Sequence, residues 1–423
     1  MAKKKNKQSD RQNQKIRGAQ CRNEFLKKVK TIVDYVCGKD VYPLIPQGLL
    51  DYVYFSRITP FRFKVDQNSV ISPELVAIIK PVLFKITNEK KVTLPSNQYE
   101  ISLNEYHSTY LSCTMLASFA VDPEYKCDLY VKEALSKLLH NETDNDVAFN
   151  SLHSLLYSYN VYDCDLSQKL YWYQYNLVLP KNNMGSCESV ITIFSETPEC
   201  IRIEIDSIVR KAYRVCWAFS FKGVETISLK PSEMGIKDAI DDSPMPVYIQ
   251  SHALKRIQER IDCFWPGSNH FNLYWSLVNP KISYDSNNKI LIDLEFFRIK
   301  VGYLRAEIVN GIILIRTFLF ITNTGTPEGR LLEKNTGLQK LDKKYLEIDK
   351  LSTFMSSDLD TNEAAKQIFI SSGSSCLLEI YDYMKPFVLN PKSKYNFDFM
   401  LSYMDVNKSG ASIHEDQSVL EMV

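Results

Sequence analysis

The chain contains no run of 18 apolar residues, so a helical membrane span is not expected. It opens Met1-Ala2-Lys3-Lys4-Lys5 with no apolar segment behind the basic one, so a secretory signal is not expected either. None of the ten cysteines lies in a Cys-x-x-Cys pair or at ligand spacing from a histidine. That argues against a structural zinc and against a disulfide framework, and free thiols in a reducing cytoplasm are the expectation. Thr324-Gly325-Thr326-Pro327-Glu328-Gly329 is not followed by Lys-Ser or Lys-Thr, so it is not a P-loop. It reads as a helix start, with Thr326 as cap and Pro327 as first helical residue. No cofactor is expected, and no fixed-period repeat points to a solenoid.

Neither sign of charge dominates overall: 51 Lys or Arg stand against 50 Asp or Glu. The balance hides an asymmetry. Residues 1–30 hold 11 basic residues against Asp10 and Glu24, a net of +9, which leaves −8 for the remainder. An acidic body does not suit a protein that coats nucleic acid over its whole surface. The basic start can touch RNA or DNA, or only aid solubility. With 45% hydrophobic and 24% charged residues the chain can build a real core.

The expected fold class is α+β. Residues 1–18 are polar, basic and without periodicity, and a disordered tail is expected there. Residues 19–163 read as a helical region. Phe25, Leu26, Val29, Ile32, Val33 and Val36 share one face, and Gly38 stops that helix. Gln47 to Ser56 is a second helix. Ser72-Pro73-Glu74 opens a third, which should bend or end near Pro81. Asp122-Pro123-Glu124 should open another. His107, His140 and His153 fall in this region without an acid at ligand spacing, and read as surface or core residues.

Residues 164–325 have strand texture, with segments such as Leu170–Leu179, Val190–Phe194 and Cys200–Ile205, and one mainly antiparallel sheet is expected. Asp241 and Asp242 fall in a proline-flanked loop and read as solvated. Residues 326–405 are helical again, and 406–423, with His414, should be flexible.

Within the sheet region, residues 247–322 carry the one ionisable pattern that chemistry can use. Val247-Tyr248-Ile249 is a short strand, and Ser251 is the expected N-cap of the helix behind it. Leu254, Ile257 and Ile261 make an apolar stripe, while His252, Arg256 and Arg260 step by four along its shoulder. Histidine exchanges a proton near neutral pH, and arginine offers a planar fork that suits phosphate. A structural reading stands beside this one: a solvated basic flank, with Glu259 pairing Lys255. Asn310-Gly311 marks a two-residue hairpin turn. The apolar strand behind it, Ile312 to Ile321, should lie inside the sheet, covered on both sides. Its Arg316 needs a partner, either a phosphate or one of Glu295 and Glu307.

The order of these parts resembles small bacterial domains grouped with the RelE/BrnT-type toxins. Those open on a His-Ala-x-x-Arg-x-x-x-Arg helix, matched here by His252-Ala253-Leu254-Lys255-Arg256-Ile257-Gln258-Glu259-Arg260. A second helix and an antiparallel sheet follow, often with a threonine in the last strand, as Thr317 stands here. The likeness covers under a fifth of the chain. It implies a metal-independent ribonuclease or RNA-binding domain, with His252 as general acid or base and Arg256, Arg260 and Arg316 holding the phosphate. The alternative is a non-catalytic cytoplasmic interaction protein that carries a degenerate toxin-like domain and meets a protein partner through its helical N-terminal region.

Overall fold

A computed structural model describes residues 2–94, 99–139, 142–180, 185–205, 207–236, 241–285, 287–386 and 395–408. Side chains are described for these apart from 2–15, 142–148 and 406–408. The chain is α+β and divides into two compact units. The first comprises Met1–Tyr159 with Tyr171–Ser195, and the second Asn160–Leu170 with Glu196–Val423.

The first unit is built from α1 (Ala2–Val36), α2 (Gln47–Ser56), β1 (Arg62–Val65), α3 (Pro73–Glu89), β2 (Lys91–Thr93), β3 (Glu100–Ser102), α4 (Leu103–Glu105), a π-helical turn (Tyr106–Tyr110), α5 (Leu111–Ala120), α6 (Leu129–Ser136), most of α7 (Glu142–Asp163), β4 (Leu170–Val178) and β5 (Glu188–Glu196). Val29, Val33, Leu49, Leu83, Leu103, Leu116 and Leu135 are fully buried in one core. Helix α1 starts at Ala2, whereas the sequence pattern pointed to a disordered tail. Lys, Gln and Arg are good helix formers even where no apolar stripe exists. Ser72 caps α3 by accepting from the Leu75 amide at 3.3 Å, as expected. The helix then runs through Pro81 to Glu89. Pro81 itself is exposed, while Ile79 and Leu83 on either side are buried, so packing holds the helix across the lost hydrogen bond. No helix opens at Asp122; α6 begins later, with Asp128 accepting from the Tyr130 amide at 2.8 Å. Gly48, in α2, is exposed, and a Cβ added there meets nothing within 4 Å. Gly48→Ala should therefore raise stability in a urea titration by roughly 0.5–1 kcal/mol.

The expectation of a single sheet over 164–325 is corrected. β4 and β5 belong to the first unit, in a three-stranded sheet of order β1-β5-β4 with β1 parallel to β5. The second unit begins its own sheet at β6 (Cys200–Ile205) and continues with β7 (Ile208–Arg214), β8 (Cys216–Phe219), β9 (Gly223–Thr226), β10 (Ser228–Leu229), β11 (Met245–Gln250), α8 (Ser251–Arg260), α9 (Pro266–Val278), β12 (Ile282–Tyr284), β13 (Ile290–Phe296), β14 (Ile299–Val309) and β15 (Ile312–Phe320). Among the described residues six helices follow: α10 (Pro327–Thr336), α11 (Lys340–Tyr345), α12 (Leu351–Met355), α13 (Glu363–Ser371), α14 (Cys376–Met384) and α15 (Phe397–Lys408). The tail from 409, with His414, lies outside the described residues, as does His140.

The large sheet runs β12-β13-β14-β15-β11-β7-β6, with β10 also on β11. It is antiparallel except where β11 pairs with β15. β15 is internal, and Ile313, Leu314 and Ile315 are fully buried. The β14–β15 turn is Asn310–Gly311 with φ 51° and 75°, as the residue pair demands. The β13–β14 turn is Phe297–Arg298, also at positive φ, 54° and 68°. There the left-handed conformation costs about 1–2 kcal/mol per residue. α8 packs on β15, β11 and β7, while α9 packs on β13 and β8.

Candidate functional site

α8 is placed by its apolar stripe. Ala253, Leu254, Ile257 and Ile261 are buried, and full burial of an isoleucine stabilises by roughly 2–3 kcal/mol. Gln250, not Ser251, is the N-cap residue, and its side chain makes no capping bond. This geometry puts His252 and Arg256 at half-exposed positions and draws Arg260 into a more buried one.

All three arginines meet carboxylates. Arg256 Nη1 lies 2.9 Å from Glu259 Oε2. Arg260 pairs with Asp349, at side-chain exposures of 18% and 9%. Arg316 Nη1 stands 3.1 Å from Glu307 Oε1 and donates to Oε2 at 3.2 Å. Glu295, the other partner considered for Arg316, pairs with Lys281 instead. Thr317 sits opposite Arg305 in the sheet.

The His252 imidazole is held below its ordinary pKa, first by partial burial and then by the charges of Arg256 and Arg210, against the pull of Glu259. Arg210, on β7, was not singled out from sequence, because nothing local ties it to a helix 42 positions on. It has no carboxylate partner among the described residues.

No family model, no curated protein and no solved structure matches the chain. The likeness to the toxin-like domains therefore rests on the His252-to-Arg260 spacing and the element order alone.

The remaining candidates resolve into structural roles. Asp242 accepts from the amide and hydroxyl of Ser232, both at 2.8 Å, and Asp241 accepts from Ser243. Among the described residues no group of His, Cys, Asp or Glu is arranged to hold a metal ion. Thr326 caps α10, its hydroxyl accepting from the Gly329 amide at 2.9 Å. A Cβ on Gly329 would stand 1.9 Å from the Asn323 carbonyl, so glycine is there for close packing. His107 is buried among Phe61, Phe149 and Tyr175, each ring centroid 5.2 Å away. His153 is half-buried, which lowers its pKa. No described helix is long and apolar enough to cross a membrane, and the ten cysteines are free thiols.

Two clusters escaped the sequence reading. Lys300 Nζ lies 2.6 Å from Glu328 Oε1 and donates to the Tyr303 hydroxyl at 2.9 Å, and that hydroxyl donates to Glu328 at 2.8 Å. His270 is buried, and its Nδ1 accepts from the Leu166 amide at 3.0 Å. In the first unit, a cleft of about 130 Å³ is lined by Lys28, Thr31, Ile32, Tyr99, Ile101, Glu105 and Thr109; Lys28 and Glu105 already pair across 3.2 Å.

Proposed function

We propose that the chain is a non-catalytic interaction protein, with residues 247–322 a degenerate relative of the toxin-like domains. The observation that carries this is the fate of the arginine row. A phosphate clamp needs guanidinium forks held open until the ligand arrives. Here Arg256, Arg260 and Arg316 are already engaged by Glu259, Asp349 and Glu307. Displacing those acids would leave them unpaired, and at Asp349 the loss falls in a nearly buried place.

A second reading has one observation in its favour. Arg210 feels His252, pushes its pKa down and has no carboxylate partner among the described residues. One imidazole with one guanidinium can contact a phosphodiester, but lacks the second cation to hold the charge that builds in cleavage.

Incubation of the full chain with a mixed RNA pool separates the two. The expected result is no cleavage by wild type or by His252→Ala, and no salt-sensitive binding that depends on Arg210. Cleavage present in wild type and absent in His252→Ala would overturn the interaction reading.

A further inference from the structure

Two of the hairpin turns of the second unit, β13–β14 and β14–β15, invite comparison. Asn310–Gly311 adopts its primed turn at least cost, whereas Phe297–Arg298 adopts the same turn against the preference of both residues. Strain of this kind persists only where the surroundings impose it, and it gathers at functional surfaces. What the strained turn achieves is display. Phe297 stays 41% exposed, and its ring stacks on that of Tyr383, 47% exposed, with centroids 4.7 Å apart. Phe264 meets Phe297 edge-on at 6.0 Å and is itself stacked on buried Phe296 at 5.2 Å. Arg298 is exposed and, unlike the arginines of the helix row, has no carboxylate partner among the described residues. The lysines two positions from the turn and from Tyr383 are taken: Lys300 by Glu328 and Lys385 by Asp360.

We propose that Phe297, Arg298 and Tyr383 anchor a protein-binding surface. Its occupant is a segment of a partner protein that presents a carboxylate beside a large apolar side chain. The carboxylate pairs with Arg298, and the apolar side chain covers the Phe297–Tyr383 step. Single exposed apolar residues need no explanation, but aromatic rings gathered beside an arginine have the composition of interface hot spots. A nucleic-acid strand fits less well, because stacking platforms for it lie along a basic groove, and this turn offers one unpaired cation. The proposal rests on the interaction-protein reading.

The test uses the full chain as bait for a displayed library of short random peptides. The enriched consensus is then synthesised and titrated by fluorescence anisotropy against wild type, Phe297→Asn/Arg298→Gly and His252→Ala. The expected consensus sets Asp or Glu beside Trp, Phe or Leu. The double variant should bind it at least roughly tenfold more weakly, yet melt at the same temperature or higher, because its turn is relieved of strain. His252→Ala should bind like wild type. A consensus without that pairing, undiminished binding by the double variant, a lower melting temperature in it, or displacement of the peptide by oligouridine RNA would each overturn the proposal. RNA cleavage would overturn the functional reading above while leaving this binding comparison intact, so the two failures are distinguishable.

Discussion

Arg260→Leu should lower the free energy of unfolding by about 3 kcal/mol in a urea titration. The guanidinium is mostly buried against Asp349, whose carboxylate sits at 9% exposure, its Oδ1 without a hydrogen-bond partner among the described residues. Removing the cation leaves that charge desolvated and uncompensated, which costs more than the pair itself contributes. Asp349→Ala should cost a similar amount from the other side. Arg260→Leu/Asp349→Leu should recover most of the loss, because two apolar side chains of similar reach leave no orphaned charge. The sign also bears on function. An arginine kept for a ligand strains the unliganded fold, and its removal is commonly neutral or stabilising. A loss under about 1 kcal/mol, or any gain, would return Arg260 to the list of ligand-binding groups.

The neighbourhood explains why the arginine went to structure. Asp262, just past the end of α8, accepts from the Ser352 amide at 3.1 Å and from its hydroxyl at 2.7 Å. Thr322, just past β15, donates to the Ile348 carbonyl at 2.7 Å. The link between α11 and α12 is thus fastened to the end of β15 through Ile348 and to α8 through Asp349, and the start of α12 is fastened beside it through Ser352. Through Arg260 and Asp349 the basic row of α8 is in part a seam with that link.

That seam marks where sequence reading reaches its limit. The apolar stripe of α8, the Asn310–Gly311 turn, the Ser72 and Thr326 caps and the internal position of β15 all follow from local spacing, and the structure has them. Glu307, named as one choice for Arg316, lies nine residues away across a hairpin, within reach of a register argument. Asp349 lies 89 residues from Arg260, and no periodicity connects them. The same distance problem hid the division of the strands. β1 has only four residues and pairs in parallel with β5 across more than a hundred positions, so β4 and β5 looked like the start of the later sheet. The Phe297–Arg298 turn was hidden for another reason: local preference argues against it, and the rings that Phe297 meets, Tyr383 stacked and Phe264 edge-on, lie 86 and 33 positions away.

His270 supplies the pH dependence, which should separate wild type from His270→Gln by about 3 kcal/mol between pH 7 and pH 4. Burial pushes the imidazole down to about 4, and the nearby Asp165 carboxylate opposes that only in part. Asp165 Oδ1 lies 3.9 Å from Nδ1, a separation that would suit an ion pair if the ring were charged. The hydrogen bond decides otherwise: Nδ1 accepts from the Leu166 amide, which requires its lone pair, so the buried ring is neutral. In the unfolded chain the same ring titrates near 6.5. Between that value and about 4 the unfolded state binds the extra proton and the folded state does not. The stabilisation is therefore complete above pH 6.5 and is lost as pH falls towards 4. The site cannot readily relax to admit a charge, because α9 lies against the segment that carries Leu166: a Cβ on Gly267 would stand 1.9 Å from the Val161 carbonyl. Glutamine keeps an acceptor for the Leu166 amide but does not titrate. Carboxylates shared by both proteins cancel in the difference between their denaturation curves. A difference that stays flat from pH 7 to pH 4 would mean that the folded chain takes up the proton as readily as the unfolded one, and that the bond from the Leu166 amide to Nδ1 is not kept.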